Sequence, residues 1–330
     1  MQPGWEHCGA RKGECGGKAT ADSRNCCPKK LNLIMNVSIS SSDLSFSEKA
    51  RAVVELLKVR LSLLVVFSAG MTFILGLKSE LIWLDFILFL LGGFLVTGSA
   101  NIINQIIEID RDKLMKRTEN RPLPTGRISP FEATITSAVL FIIGFVLMLV
   151  FANPTTALLG FLSLLLYAFA YTPLKKVGPV AVLVGAIPGA LPPMIGWVAA
   201  TNMLSYEAFL LFGIQFIWQF PHFWAIAWLG YDDYKRAGYQ LLPSKGGRDL
   251  NTAFNIMIYT LFLIPTSLLP TYFGMVGSTA GVIVCIAGIA FLILTFYLMK
   301  TCSRQAALKM MLGSVIYLPI VQIAYVLDKI

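Results

Sequence analysis

Asn104, Glu108 and Asp112 recur at intervals of four residues, a spacing that on an α-helix stacks side chains on one face with about 40° of drift per step. Three oxygen donors in a row make a surface for a hard cation such as Mg²⁺, which is commonly held by one or two carboxylates together with phosphate oxygens. Lys116, Arg117, Arg121 and Arg127 follow within the same stretch. Carboxylates flanked by such bases suit a metal-bridged diphosphate, with the bases taking the remaining phosphate oxygens. The competing reading is a solvated helix end in which Lys116 and Arg117 neutralise the acids. A second acidic pair, Asp232 and Asp233, follows an aromatic-rich run over 218–228 that holds His222, one of only 2 histidines in the chain. An unbroken helix would set His222 and Asp233 on one face, since their separation is close to three full turns. The imidazole reads either as a substrate contact or as a neutral ring hydrogen-bonded to a neighbouring helix. The aromatic cluster suits a lipid-facing surface and the wall of a pocket for a large planar substrate equally well.

These residues need elements to position them, and the composition says what kind. Hydrophobic residues make up 56% of the chain and charged ones 14%, with a mean hydropathy of +0.70, against about 25% charged in a soluble domain. No charged residue occurs over 133–174 or over 250–299. One bilayer crossing takes roughly 20 apolar residues, so each run is two crossings, divided at Asn153-Pro154 and around 274–278. The same division elsewhere predicts an all-α polytopic membrane protein with nine spans. They fall near 61–78, 83–107, 133–152, 155–173, 178–200, 207–230, 252–273, 278–299 and 309–327. A β-barrel would show short alternating segments instead. The two acidic sites end the second and sixth spans, the placement a duplicated four-helix unit would give, with both converging on one central cavity that opens near the cytoplasmic side.

Basic residues set the orientation. With the N-terminus inside, they crowd the inner segments, and only Lys78 and Lys329 fall outside the bilayer on the far side. The expected topology is N-in and C-out, and the net charge of +9 needs no nucleic-acid partner. Residues 1–48 are polar and carry Cys8, Cys15, Cys26 and Cys27, without the paired spacing of a structural zinc site or the apolar core of a secretory signal. They read as a disordered cytoplasmic tail ahead of a transmembrane domain over 49–330. A native start at Met35 would account for the odd composition of 1–34. Cys285 and Cys302 read as packing residues.

The first acidic site, Asn104-x-x-x-Glu108-x-x-x-Asp112 with Arg121-Pro122-Leu123 and Gly126 after it, resembles the UbiA-type intramembrane prenyltransferases. Within that family the chain looks like the heme O synthase branch. The narrower likeness rests on Met115-Lys116-Arg117-Thr118, Tyr171-Thr-Pro-Leu-Lys175-Lys176, 189–197, and Pro221-His222-Phe223-Trp224 running into Asp233-Tyr234. Leu57-Lys58-Val59-Arg60 resembles a basic signature near the family's first helix. Glu108 stands where an Asp is usual, Val59 where a Pro is common, and Ala181 where an Asn is common. The resemblance implies transfer of farnesyl from farnesyl diphosphate to a vinyl group of heme B, with addition of water, giving heme O in a bacterial inner membrane. It implies catalytic roles for Asn104, Glu108, Asp112 and Asp233, and Mg²⁺ on these residues and Asp232. It implies substrate contacts from Lys58, Arg60, Lys116, Arg117, Arg121, Tyr171, Lys175, Lys176 and Tyr234. His222 becomes a heme contact, as an axial iron ligand or a polar group near the reacting vinyl. Other heme-biosynthesis or oxidase-assembly proteins come into view as partners.

Two alternatives remain open at this point. A related prenyltransferase would take a quinone precursor, against which the Pro-His-Phe-Trp and Tyr-Thr-x-Leu-Lys stretches argue. A secondary transporter would use paired broken helices near the midplane, which Pro188, Pro192 and Pro193 could supply in the fifth span.

Overall fold

A computed structural model describes residues 45–330; the cysteines of the tail and the reading of 1–34 lie outside the described residues. The first helix, α1 (Phe46–Leu56), begins inside the segment read as tail. Ser45 Oγ accepts from the Glu48 amide while Glu48 bonds back to the Ser45 amide, a reciprocal cap that satisfies two otherwise unpaired N–H groups. Its small apolar face, Ala52 and Leu56, packs on Ile102, Leu123, Ile128 and Ala133.

Among the described residues nine longer helices then follow, each apolar and long enough to cross a membrane, and this is an integral membrane protein. They begin with α2 (Val59–Gly76) and α3 (Trp83–Ile107); after a single turn, α4 (Ile109–Asp112), comes α5 (Pro130–Phe151). The next crossing is compound: α6 (Pro154–Leu165), a π-helical turn over Leu166–Tyr171, and α7 (Thr172–Leu174). Then come α8 (Val180–Thr201), α9 (Tyr206–Leu229), the short α10 (Tyr231–Arg236), α11 (Leu250–Tyr272), α12 (Ser278–Thr301) and α13 (Arg304–Leu327). Capping residues sit where the sequence divides. Asn153 caps α6 ahead of Pro154, and Ser129 caps α5 ahead of Pro130, proline being suited to a first turn whose N–H has no partner. Among the described residues no strand forms, and one isolated bridge joins Val276 to Lys329.

Packing sets α8 and α9 at the centre. α2 and α9 flank α8, α5 pairs with α3, and α11 and α13 pack on α9 with α12 wedged between them on the far side. Small residues permit close crossings: a methyl on Gly92 would stand 2.9 Å from the Gly144 carbonyl oxygen, and one on Gly144 would stand 2.7 Å from that of Gly92. Close backbone approach of this kind is how helices associate in lipid, where burying apolar surface gains nothing over the acyl chains. The outward faces stay apolar, with Ile142, Val146 and Val150 exposed on α5 and Ile286, Ile289 and Ile293 on α12, as a hydrocarbon surround requires.

α8 is continuous despite Pro188, Pro192 and Pro193, so the broken helix of the transporter reading is not formed. Pro192 and Pro193 lack the N–H groups that the carbonyls four residues earlier would accept. Side chains replace them. Gln215 Nε2 and Gln219 Nε2 each donate to Gly189 O at 2.8 Å, and Ser163 Oγ donates to Pro188 O at 3.4 Å.

Candidate active site

The acid-bearing helix end is not the continuous helix its spacing predicts. α3 stops at Ile107, Glu108 takes φ −101° and ψ 7°, and the chain restarts as α4. The link is tight, with Glu108 N donating to Asn104 O at 3.1 Å and Asp112 N to Glu108 O at 2.8 Å. Asn104, Glu108 and Asp112 are all buried.

Each acid is held by partners from distant segments. Asn104 Nδ2 donates to Glu108 Oε2 at 3.0 Å and to Thr172 Oγ1 at 2.9 Å. Glu108 Oε1 receives Lys175 Nζ at 2.9 Å and the Tyr239 hydroxyl at 3.0 Å. Arg121 Nη1 donates to Asp112 Oδ2 at 2.7 Å, while Asp112 Oδ1 is buried with no hydrogen-bond partner among the described residues. A buried carboxylate oxygen left bare is costly and fits a cation beside it. Among the described residues no three His, Cys, Asp or Glu side chains stand together to enclose a metal ion. Two carboxylates and an amide are instead the donor set of a cation completed by phosphate oxygens.

Cations surround this group. Lys58, between α1 and α2, adopts φ 50°, the left-handed region that costs a lysine about 1–2 kcal/mol, and its ammonium lies 3.5 Å from Asn104 Oδ1. Burial, with the like charges of Arg121 and Lys175, pulls Lys58 down to about 7 against the opposing pull of Glu108 and Asp112. Three mutually repelling cations at a mouth of this kind are stabilised by an anion among them. Lys175 also lies over the Tyr171 ring, 4.7 Å from its centroid.

The second acidic site approaches through tyrosines. Arg117 donates to the Tyr234 hydroxyl at 3.1 Å. Burial works against its charge, but Tyr234, Asp233 and Asp112 outweigh it and hold Arg117 above the usual arginine range. One guanidinium thus senses acids from both halves. Asp233 pairs with Arg236. Asp232 pairs with Arg248 at 3.1 Å, and Arg248 Nε caps α9 at Trp228 O, 2.8 Å away, so Asp232 braces a loop. The expected shared face of His222 and Asp233 is not formed, because α9 ends at Leu229 and Gly230 interrupts the helix. Arg60, Lys116 and Lys176 are exposed and make no ion pair among the described residues; with Asp232, Asp233 and His222 they lie outside the cluster that Asn104, Glu108, Asp112, Lys58, Arg121 and Lys175 form.

Beyond the cations a cavity of about 330 Å³ runs into the bundle, lined among others by Tyr171, Gly189, Trp218, Gln219, His222 and Phe223. The π-helical turn shapes its entrance. Pro173 has no N–H for the carbonyl four residues earlier, the helix widens over Leu166–Tyr171, and Thr172 Oγ1 donates to Tyr167 O at 2.8 Å. Tyr167 and Tyr171 are brought together, ring centroids 5.5 Å apart. Such wide turns are frequent at functional sites. Gly185 faces Tyr171 so closely that a methyl there would stand 2.5 Å from the ring. Sequence reasoning missed Thr172, Tyr239 and Arg111, whose guanidinium packs on the Tyr239 ring and donates to Ala237 O. Only Pro173, a proline at a predicted helix end, carried a local signal.

A bundle of membrane-spanning helices with buried acids and cations at the mouth of a largely apolar cavity defines the setting of an intramembrane enzyme. The chain belongs to the UbiA prenyltransferase family, whose sequence pattern matches residues 63–318. It is 54% identical over 280 residues to the protoheme IX farnesyltransferase of Cytophaga hutchinsonii, covering 85% of this chain and 98% of that protein. It is 46% identical over 284 residues to the protoheme IX farnesyltransferase of Christiangramia forsetii, covering 83% and 92%. Among solved structures, a digeranylgeranylglyceryl phosphate synthase superposes with a TM-score of 0.70 at 23% identity, over 85% of this chain and 98% of that one. A UbiA homolog from Archaeoglobus fulgidus bound to DMAPP and Mg²⁺ does so with a TM-score of 0.62 at 16% identity, over 83% and 98%. The two structural likenesses establish the fold.

Proposed function

We propose that this enzyme transfers farnesyl from farnesyl diphosphate to a vinyl group of heme B, with addition of water, to give heme O. The observation that carries the reading is the cation cluster of Lys58, Arg121 and Lys175 beside the buried, half-satisfied Asp112, at the head of a largely apolar cavity to which Tyr171, Trp218 and Phe223 contribute rings. The names of the relatives with the highest identities supply the acceptor.

The residues divide the work. Lys58, Arg121 and Lys175 take the diphosphate oxygens, and Arg117 steadies them from the side of Asp233. Asn104, Glu108 and Asp112, with Asp233 opposite, are the residues that would hold Mg²⁺, which neutralises charge on the departing diphosphate when bound. As the C1–O bond of the farnesyl diphosphate breaks, its electron pair leaves with the diphosphate. The vinyl π electrons form the new carbon–carbon bond, and water adds to the carbon next to the porphyrin and loses a proton. Fixed cations aimed at the leaving group stabilise that charge without reorganising. The apolar walls keep other water from the allylic cation.

The arrangement of basic residues supports placing this mouth on the cytoplasmic face of a bacterial inner membrane, N-terminus in and C-terminus out, with the product passed on to oxidase assembly. The catalytic domain is taken to span 49–330 together with the start of α1, whose Ala52 and Leu56 pack on it, and residues 1–34 are expected to be dispensable. Membranes carrying the protein, supplied with heme B, farnesyl diphosphate and Mg²⁺, should form heme O, read by chromatography and mass. Farnesylation of a quinone precursor such as 4-hydroxybenzoate, with heme B untouched, would overturn the reading in favour of the quinone alternative.

A further inference from the structure

His222 is part buried on α9, with its ring stacked on Trp218 at a centroid distance of 4.5 Å and 15° between planes. Both rings are tied to one residue of another helix. Trp218 Nε1 donates to the backbone oxygen of Ser314 at 2.9 Å, and His222 Nδ1 lies 2.8 Å from the Ser314 hydroxyl. Ser314, on α13, is fully buried.

The direction of the second bond follows from counting hydrogens. A serine hydroxyl has one proton to give. Ser314 Oγ donates to Met311 O at 2.6 Å, so toward His222 it accepts, and the donor is Nδ1–H. An unpaired charge in this aromatic wall would be costly, which makes the ring neutral with a single proton. Nε2 therefore carries a lone pair. Among the described residues Nε2 makes no hydrogen bond and is not fully buried, and His222 lines the cavity. The lone pair opens onto that space.

We infer that Ser314 is a positioning residue which fixes the tautomer and tilt of His222 so that Nε2 serves as an axial ligand to the iron of the heme substrate. The inference rests on the heme reading above. Neutral imidazole is a common haem ligand, and a partner on the second nitrogen sets the tautomer and raises the basicity of the first. Trp218 blocks ring rotation from one side, and its own anchor on the Ser314 backbone is independent of the hydroxyl. Ser314→Ala thus removes the tautomer lock and leaves the stacked tryptophan bonded.

The test titrates the purified full chain in detergent with hemin and, separately, with metal-free protoporphyrin IX. The parent should bind hemin with a shifted Soret band that His222→Asn abolishes. Ser314→Ala should alter that band and weaken hemin about tenfold or more, while Ser314→Thr, which keeps the hydroxyl, restores it. Protoporphyrin IX should bind the parent and all three variants alike, because it has no iron to ligate. Hemin spectra for Ser314→Ala and His222→Asn identical to the parent, with turnover lost or kept, would overturn the inference. Equal weakening of both porphyrins would also overturn it, as a packing effect. Failure of the parent to bind either porphyrin would instead sink the heme reading on which it stands.

Discussion

Replacing Glu108 by glutamine separates what the carboxylate does for the fold from what it does for the reaction. The substitution keeps the shape and removes the charge. Lys175 Nζ lies 2.9 Å from Glu108 Oε1, and the two side chains are 12% and 6% exposed. At that distance and an effective dielectric of about 20 the attraction is about 6 kcal/mol, part of which offsets desolvation of both ions. Breaking a buried pair from one side typically costs about 3–5 kcal/mol, because the remaining charge is left uncompensated. Glu108→Gln should therefore lower the thermal unfolding temperature in detergent and reduce heme O formation at least about 100-fold. Adding Lys175→Met to the variant removes the stranded ammonium and should recover most of the stability. Activity should not recover, since both the metal-facing carboxylate and a diphosphate-facing cation are then gone. Unfolding followed by size-exclusion chromatography and product followed by mass would measure the two effects on one preparation. A single variant as stable as the parent would refute the energetic argument, and a double variant with near-parental turnover would refute the catalytic one.

Asp112→Asn replaces the bare Oδ1 or its neighbour with a donor, so turnover should fall about 100-fold or more and raising Mg²⁺ should not restore it; full rescue at high Mg²⁺ would mean the oxygen is not a metal contact. Gly185→Ala puts a methyl against the Tyr171 ring, so the cavity entrance should narrow and KM for heme B rise about tenfold with folding intact; unchanged steady-state constants would show that Tyr171 yields freely. Removing residues 1–34 should leave insertion and turnover unchanged. Truncation through Leu56 should destabilise the domain, because it deletes the Lys49–Glu132 and Arg127–Glu55 ion pairs, at 2.9 and 3.0 Å, and uncovers Ile102; equal thermal stability of both truncations would contradict this.

The nine crossings were legible because hydrocarbon tolerates little charge, which makes composition alone nearly sufficient. Most span ends differ by up to three residues, the largest difference being at α13, where Ser303 caps a helix that begins at Arg304 against the predicted start at 309. The helix α1 was not legible in the same way. It is charged and short, and only its cap and two buried positions distinguish it from a polar tail. At the site, the acids and Arg121 could be read from local spacing, since a row of donors on one helix end is a local pattern, whereas Lys58 and Lys175 came only from the family resemblance. Tyr239 and Thr172 could not, for they reach Glu108 and Asn104 from segments 131 and 68 residues away. The paired fate of Asp232, tied to Arg248, was equally hidden, because an acid beside an acid looks the same in sequence whether it faces a cation in solution or a loop arginine. Gly230 misled in the opposite sense: a glycine within a helical pattern need not end it, and here it does.

Two prolines on α8 also act as a ruler. A carbonyl without its amide partner is a fixed mark in a medium that offers no water, and Gly189 O is met by two glutamines one turn apart on α9, while Pro188 O is met by Ser163 on α6. Sliding α9 by one residue would swing both amides about 100° away, stranding them and the carbonyl at a cost of several kcal/mol each. The alignment of three helices is thus written in two missing hydrogens. Prolines elsewhere in helical membrane proteins, matched with an amide on a neighbouring span, would give the same information about which helices stand side by side, and at what height.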